Sequence, residues 1–162
     1  MFYKKNKESI YLYSCVDGIT RQLRDVKDTA FSIGSMGEGV VVYPTSNNVY
    51  SPVEGTIKVI FNTNHCLGIK TDNGFELLIH IGIDTIKMQG EGFKTFVNEG
   101  DKVEIGTKLF EVDFELIKKN NHPIDVLLMI KGTRNSVDIV EEIEPGLEVK
   151  SGDLVMKAIL ND

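Results

Sequence analysis

Phe61-Asn-Thr-Asn-His65-Cys-Leu-Gly-Ile-Lys-Thr-Asp-Asn73-Gly74-Phe-Glu-Leu-Leu-Ile-His80-Ile-Gly-Ile-Asp84-Thr85 reads as a β-hairpin with one histidine on each arm. Asn73-Gly74 is a strong short hairpin signal, because both central positions of a type I′ turn need positive φ. A two-residue turn there sets Leu67 opposite His80. His65 then lies one diagonal step from His80 on the same face, about 7–8 Å away and nearer at the side-chain tips. A slip of one residue sends the two histidines to opposite faces, so the pairing depends on the turn.

The arms sort by face. Phe75, Leu77, Ile79 and Ile81 form an apolar row suited to a core, while Leu78 and His80 point the other way. In this register His65, Leu67 and Ile69 join the second face, which is therefore apolar too. Two readings stand open. The sheet is covered on both sides and its histidines are satisfied by backbone, or polar groups in an apolar patch mark an interaction site.

Beyond the hairpin the chain repeats the same grammar. Short Val/Ile/Leu-rich segments are broken by Gly every 8–12 residues, which suggests an all-β sandwich or barrel. Ser14-Cys-Val16-Asp17-Gly18 resembles Ser51-Pro-Val53-Glu54-Gly55. Gly100-Asp-Lys-Val103-Glu-Ile-Gly106 resembles Gly146-Leu-Glu-Val149-Lys-Ser-Gly152. These echoes point to duplicated β-modules with Gly at the bends. Helix is expected only at residues 25–31 and 114–120, the second capped by Asp113 and stopped before Pro123. A flexible tail is expected over residues 1–13 and a single domain over 14–162.

The 162 residues suit one domain with a sizeable core. A net charge of −6 argues against nucleic acid, whose phosphates call for a basic surface, and fits a cytoplasmic protein. Two cysteines make no disulfide framework, and Cys66, within an apolar strand, reads as a small buried hydrophobe. No run of eighteen apolar residues is present, so a membrane is met only indirectly.

The chemistry sits with the two imidazoles. A neutral histidine has a nucleophilic nitrogen near pH 7 and can carry a group covalently. A second imidazole beside it can donate to the oxygens of the transferred group. Phosphoryl transfer asks mainly for such positioning and electrostatics. Thr63, two residues before His65, is placed to fix which nitrogen of His65 carries the proton. Gly82 allows close approach of another backbone to His80. A zinc peptidase-like reading is the minor alternative: His80-Ile-Gly82-Ile-Asp84 resembles a first ligand motif, but the His-x-His that completes it is missing. No metal and no cofactor is expected.

Asn64-His65 and His80-Ile-Gly-Ile-Asp84-Thr85, followed by Gly90-Glu91-Gly92-Phe93, resemble the glucose-type IIA component of the bacterial sugar phosphotransferase system. So do Met36-Gly-Glu-Gly39, Pro44-Thr, Ser51-Pro-Val-Glu-Gly-Thr56 and Glu99-Gly-Asp-Lys-Val103, in order, over roughly residues 14–160. The chain departs from the resemblance at His122-Pro-Ile-Asp125. The resemblance implies an antiparallel β-sandwich and a free-standing IIA phosphotransferase. It implies a phosphohistidine at His80, with His65 supporting the phosphoryl group and Thr63 orienting His65. The implied donor is the histidine-containing phosphocarrier protein and the implied acceptor a cysteine on the IIB domain of a sugar permease. The alternative is a phosphorylation-dependent regulator of target enzymes. A docking rim is expected from Phe61, Leu67, Ile69, Leu78, Asp84, Ile86 and Met88.

Overall fold

Alternating or continuous apolar segments of three to seven residues, each closed by a Gly- or Asn-containing turn, cannot bury a helical stripe but suit pleated sheets. In the computed structural model, which describes residues 7–32, 37–133 and 135–161, they do so. The strands are β1 (Ser9–Tyr13), β2 (Gly18–Arg21), β3 (Glu38–Pro44), β4 (Asn48–Tyr50), β5 (Gly55–Ile60), β6 (Cys66–Lys70) and β7 (Glu76–Ile81). They continue with β8 (Phe93–Thr95), β9 (Lys102–Val103), β10 (Lys108–Val112), β11 (Val126–Ile130), β12 (Val137–Glu142), β13 (Glu148–Val149) and β14 (Leu154–Leu160). The helices are α1 (Thr29–Ser32) and α2 (Phe114–Lys119), with single 3-10 turns at Leu23–Asp25 and Thr85–Met88.

One sheet has the order β13-β2-β3-β11-β7-β6-β5-β9; two three-stranded sheets, β1-β14-β12 and β4-β10-β8, face it. The ladders between these strands are antiparallel, and the architecture is an antiparallel β-sandwich. The main core lies between the sheets. From the hairpin it takes Phe75, Leu77, Ile79 and Ile81, the row expected there, together with Leu67 and Ile69.

The sequence echoes are structural echoes. Ser14 Oγ donates to the Val16 carbonyl and Ser51 Oγ to the Val53 carbonyl, each at 2.7 Å. Gly152 N–H reaches the Ser14 carbonyl at 2.9 Å, and Gly106 N–H the Ser51 carbonyl at 3.0 Å. Gly18 pairs with Val149 and Gly55 with Val103, at the two ends of the large sheet. The modules therefore interlock around a local two-fold relation, with the histidine hairpin near the middle of the sheet they frame.

Two expectations change. Ser9–Tyr13 is a strand paired with β14, and Leu12 is fully buried, so the domain begins before residue 14 and residues 9–13 are not a tail. Residues 1–6, and Met36 of the Met36-Gly-Glu-Gly39 motif, lie outside the described residues. The helix expected over residues 25–31 is split into the 3-10 turn Leu23–Asp25 and the one-turn α1. Helix α2 forms as expected: Asp113 Oδ1 accepts from the Leu116 N–H at 3.0 Å, and Asn120 ends it.

Candidate functional site

The turn at residues 72–74 has three residues, not two. Lys70 pairs with Glu76, Thr71 N–H donates to the Phe75 carbonyl, and only Gly74 has positive φ, at 95°. This is a type I turn closed by a left-handed Gly. Thr71 explains the choice: its hydroxyl accepts from the Phe75 N–H at 3.0 Å and binds Asn73 Oδ1 at 2.7 Å, caps that the two-residue turn lacks. The register is therefore one residue from the expected one. Cys66, not Leu67, stands opposite His80.

By strand alternation that slip should separate the histidines. It does not, because His65 is outside the strand. Asn64 has φ 54°, Asn64 N–H donates to the Phe61 carbonyl, and Phe61 N–H to the Cys66 carbonyl. This tight loop breaks the period-two pattern one residue before β6 and turns His65 onto His80's face. The His65 carbonyl still accepts from Ile81 N–H at 2.8 Å, so the loop is tied to β7. The two imidazoles lie 5.1 Å apart between centroids, at 80° to one another.

Each ring has its own support. The Thr63 hydroxyl is 2.5 Å from Nδ1 of His65, and Phe61 packs edge-on against His65 at 5.5 Å. Phe31 lies against His80 at 4.8 Å. His65 is 4% exposed, while His80 is partly exposed. Nδ1 of His80 is buried without a completed hydrogen bond. The backbone of Gly82 favours the protonated ring, against burial and the neighbouring His65. Gly82 is required here: its φ is 70°, and a Cβ would meet Thr85 Cγ2 at 2.4 Å and the Pro123 carbonyl at 3.0 Å. The close backbone approach expected at this glycine is present.

The face that carries the histidines is covered. Val41, Cys66, Leu78, Leu127 and Met129 form a second apolar cluster, capped by Val26 and Phe31 from the segment between β2 and β3. The covered-sheet reading therefore holds for the apolar part of this face, and the two imidazoles lie beside that cluster. Leu78 is 8% exposed and belongs to this cluster, not to an open rim. Leu67, Ile69 and Met88 are also not rim residues; the register turns the first two into the main core, which Met88 joins from the 3-10 turn. Phe61 at 42% and Ile86 at 55% exposure, with exposed Asp84, do face outward. Sequence reasoning missed Phe31, whose one-turn helix has no periodic signal, and Asp28, whose carboxylate acts on His80. Because Leu78 is inside, Leu78→Asp forces a carboxylate into this cluster and should cost about 2–3 kcal/mol, a drop of about 5–10 °C in Tm. Calorimetry showing an unchanged Tm would refute the burial.

Electrostatics keep His80 neutral. Burial first, and the neighbouring His65 second, pull it from 6.5 down to about 4, against the Gly82 carbonyl and the carboxylates of Asp28 and Asp84. Burial likewise lowers His65. The Cys66 thiol opposite His80 is pushed up to about 12 by burial, so it is the inert hydrophobe expected and not a nucleophile. A depressed histidine gives stability that is complete above its unfolded value and fades as pH falls toward the folded one, because only the unfolded chain takes up the proton. Acidification from pH 6.5 to 4 should therefore cost about 3 kcal/mol through His80 alone. Urea melts across this window check it: His80→Gln should flatten the slope, and equal slopes in variant and wild type would contradict the burial effect.

Two imidazoles at this spacing, one kept neutral and the other fixed through a hydroxyl, can accept and steady a small electrophilic anion. Among the described residues no three His, Cys, Asp or Glu side chains converge as a metal would need.

The comparisons with known proteins agree with this geometry. Residues 10–136 match the phosphoenolpyruvate-dependent sugar phosphotransferase system EIIA 1 family. The chain belongs to that family. It is 38% identical over 160 residues to the glucose-specific EIIA component of Bacillus cereus, covering 97% of this chain and 93% of the relative. It is 36% identical over 136 residues to the Staphylococcus aureus counterpart, covering 84% and 82%. The solved glucose permease IIA from Mycoplasma capricolum superposes with a TM-score of 0.81 at 32% identity, covering 97% of this chain and 99% of that one. The protein is thus a phosphotransferase component of a sugar phosphotransferase system. It works between a phosphocarrier protein and a IIB component.

Proposed function

We propose that His80 is the residue that carries the phosphoryl group, that His65 steadies it, and that Thr63 sets the proton on His65. The observation that carries this reading is the pair of rings 5.1 Å apart beside an apolar cluster, with His80 partly exposed and His65 buried next to it. Because Nδ1 of His80 is buried, Nε2 is the nitrogen left toward a partner. Its lone pair attacks phosphorus as the bond to the donor's histidine nitrogen breaks, while the ring proton stays on Nδ1. In the second step a cysteine thiolate of the IIB domain attacks the same phosphorus and the Nε2–P bond breaks. The depressed basicity of His80 keeps the lone pair available at neutral pH.

Thr63 supports this by donating its hydroxyl proton to Nδ1 of His65, which leaves Nε2–H of His65 as a donor to a phosphoryl oxygen. Asp28 and Asp84 place negative charge around His80. A basic face on the phosphocarrier protein is therefore drawn to it, with Phe61 and Ile86 as apolar contacts. A cytoplasmic address, and any regulated enzymes that read the phosphorylation state on the same face, belong to this reading.

The test combines the purified chain with phosphoenolpyruvate, the general phosphotransferase components and a IIB domain. Acid-labile, base-stable phosphate mapped to His80, and lost on adding IIB, is the expected result. Phosphate on another residue would overturn it.

A further inference from the structure

Four aromatic rings at the site are in contact in series. Phe31 lies 4.8 Å from His80 at a tilt of 56°, His80 lies 5.1 Å from His65, and His65 lies 5.5 Å from Phe61. The inner two are the imidazoles of the relay. The outer two differ in setting: Phe61 is 42% exposed, whereas Phe31 is 7% exposed. The phosphoryl mechanism uses Phe61 as a partner contact and gives Phe31 no role.

The two imidazoles are held by different means. The Thr63 hydroxyl bonds Nδ1 of His65 and so fixes the plane of that ring. Nδ1 of His80 is buried without a completed hydrogen bond. The torsion that turns an imidazole about its Cβ–Cγ bond has broad wells, so packing has to set the plane of His80. Phe31 is placed to do this. It belongs to the apolar cluster that also holds Cys66 and Leu127. Those two residues stand opposite His80 on the neighbouring strands β6 and β11. The packing that buries Phe31 therefore also keeps it against the imidazole. The other side chains that act on His80 are titratable: the imidazole of His65 and the carboxylates of Asp28 and Asp84. Phe31 brings no charge, so it acts by contact and by keeping water off the ring.

We infer that Phe31 is the positioning residue of His80. By packing, it fixes the plane of the imidazole, as Thr63 does for His65 by hydrogen bonding, and so aims Nε2 at the incoming phosphorus. The inference rests on His80 being the phosphoryl acceptor. Attack needs the Nε2 lone pair in line with the bond to the leaving nitrogen, and a ring that turns meets this condition in only a fraction of encounters. Phe31 makes no bond to the transferred group.

The experiment uses Phe31→Ala and Phe31→Leu in the full chain. Ring-nitrogen shifts of 15N-labelled unphosphorylated protein follow the titration of His80. Rapid-quench single-turnover acceptance, over a range of phosphorylated phosphocarrier protein, gives the limiting rate and the half-saturating donor concentration. Phe31→Ala should raise the titration midpoint of His80 by about one pH unit and lower the limiting rate at pH 7 about tenfold, with half-saturation little changed. The ring is neutral at pH 7 before and after that shift, so the lost rate reads the aim of the ring and the titration reads its burial. Phe31→Leu keeps an apolar side chain in the seat and should restore most of the midpoint and part of the rate. Should Phe31→Ala fail to fold, Phe31→Leu decides, with a limiting rate about threefold below wild type expected. A wild-type limiting rate in the folded variants would overturn the proposal. With a lowered Tm it would leave Phe31 as packing alone, and with a raised half-saturating concentration it would make Phe31 a docking contact. Wild-type protein that takes no phosphate at His80 would instead refute the acceptor assignment, while the titration still reports the contact between the rings.

Discussion

In a His80→Gln variant, acceptance from the phosphorylated phosphocarrier protein falls by more than about a thousandfold, while Tm at neutral pH moves by only a few degrees. The amide has no nucleophilic nitrogen, so the Nε2–P bond cannot form. The fold tolerates the change for reasons visible in the packing. His80 is at the edge of the smaller apolar cluster and outside the main core, and its contacts are the rings of Phe31 and His65. Gln fills a similar volume and brings no charge. The measurements are radiolabel uptake at saturating donor and a thermal melt. Uptake close to wild type would remove His80 from the mechanism. Loss of the fold would mean that the ring is a core element and that its site role had been inferred from the wrong property.

The hairpin shows how much of this was legible and where legibility stopped. The identity of its core row, Phe75, Leu77, Ile79 and Ile81, follows from period-two alternation and is realised. The proximity of His65 and His80 is realised as well, but by a different route. Two local features, each able to undo the pairing, compensate. The Thr71 hydroxyl favours a three-residue turn and shifts the register by one. Asn64 in the left-handed region takes His65 out of the strand and restores the face. Neither is a matter of hydrophobic pattern. Both depend on side chains that bond to nearby backbone, whose outcome competes among several turn geometries of similar energy.

The duplicated modules were legible because their signal is steric. Gly100, Gly106, Gly146 and Gly152 all have positive φ, between 86° and 93°, which other residues adopt only with strain. The cover over the histidine face was not legible. Leu23, Val26 and Phe31 come from a segment with one 3-10 turn and one helical turn, too short for a periodic pattern, and only tertiary packing makes them a cap. Without the cap, Leu78 looked like a docking residue. With it, the expected rim residues that remain exposed are Phe61, Asp84 and Ile86.

A His65→Gln variant should separate the two halves of the relay. Acceptance at His80 continues, because the nucleophile and its neutral state remain. Burial, the first cause of His80's depressed basicity, persists, and removing the second cause, the neighbouring imidazole, weakens the depression without abolishing it. Onward transfer to a IIB domain falls about a hundredfold or more, the usual cost of losing one donor aimed at developing charge. The asymmetry has a geometric origin. His65 is fixed from Thr63 on one side and the Ile81 N–H on its carbonyl, so its ring is held in place before the phosphoryl group arrives. A donor placed in advance contributes most where charge on the oxygens changes as the Nε2–P bond breaks, and least to simple binding. Gln keeps an N–H donor but loses the Thr63-anchored ring that aims it. Thr63→Val should then show a smaller loss in the same direction, since it frees the tautomer of His65 without removing the ring. Rapid-quench measurement of transfer from phosphorylated protein to saturating IIB checks both. Onward rates equal to wild type in His65→Gln would leave His65 as packing for His80 and nothing more.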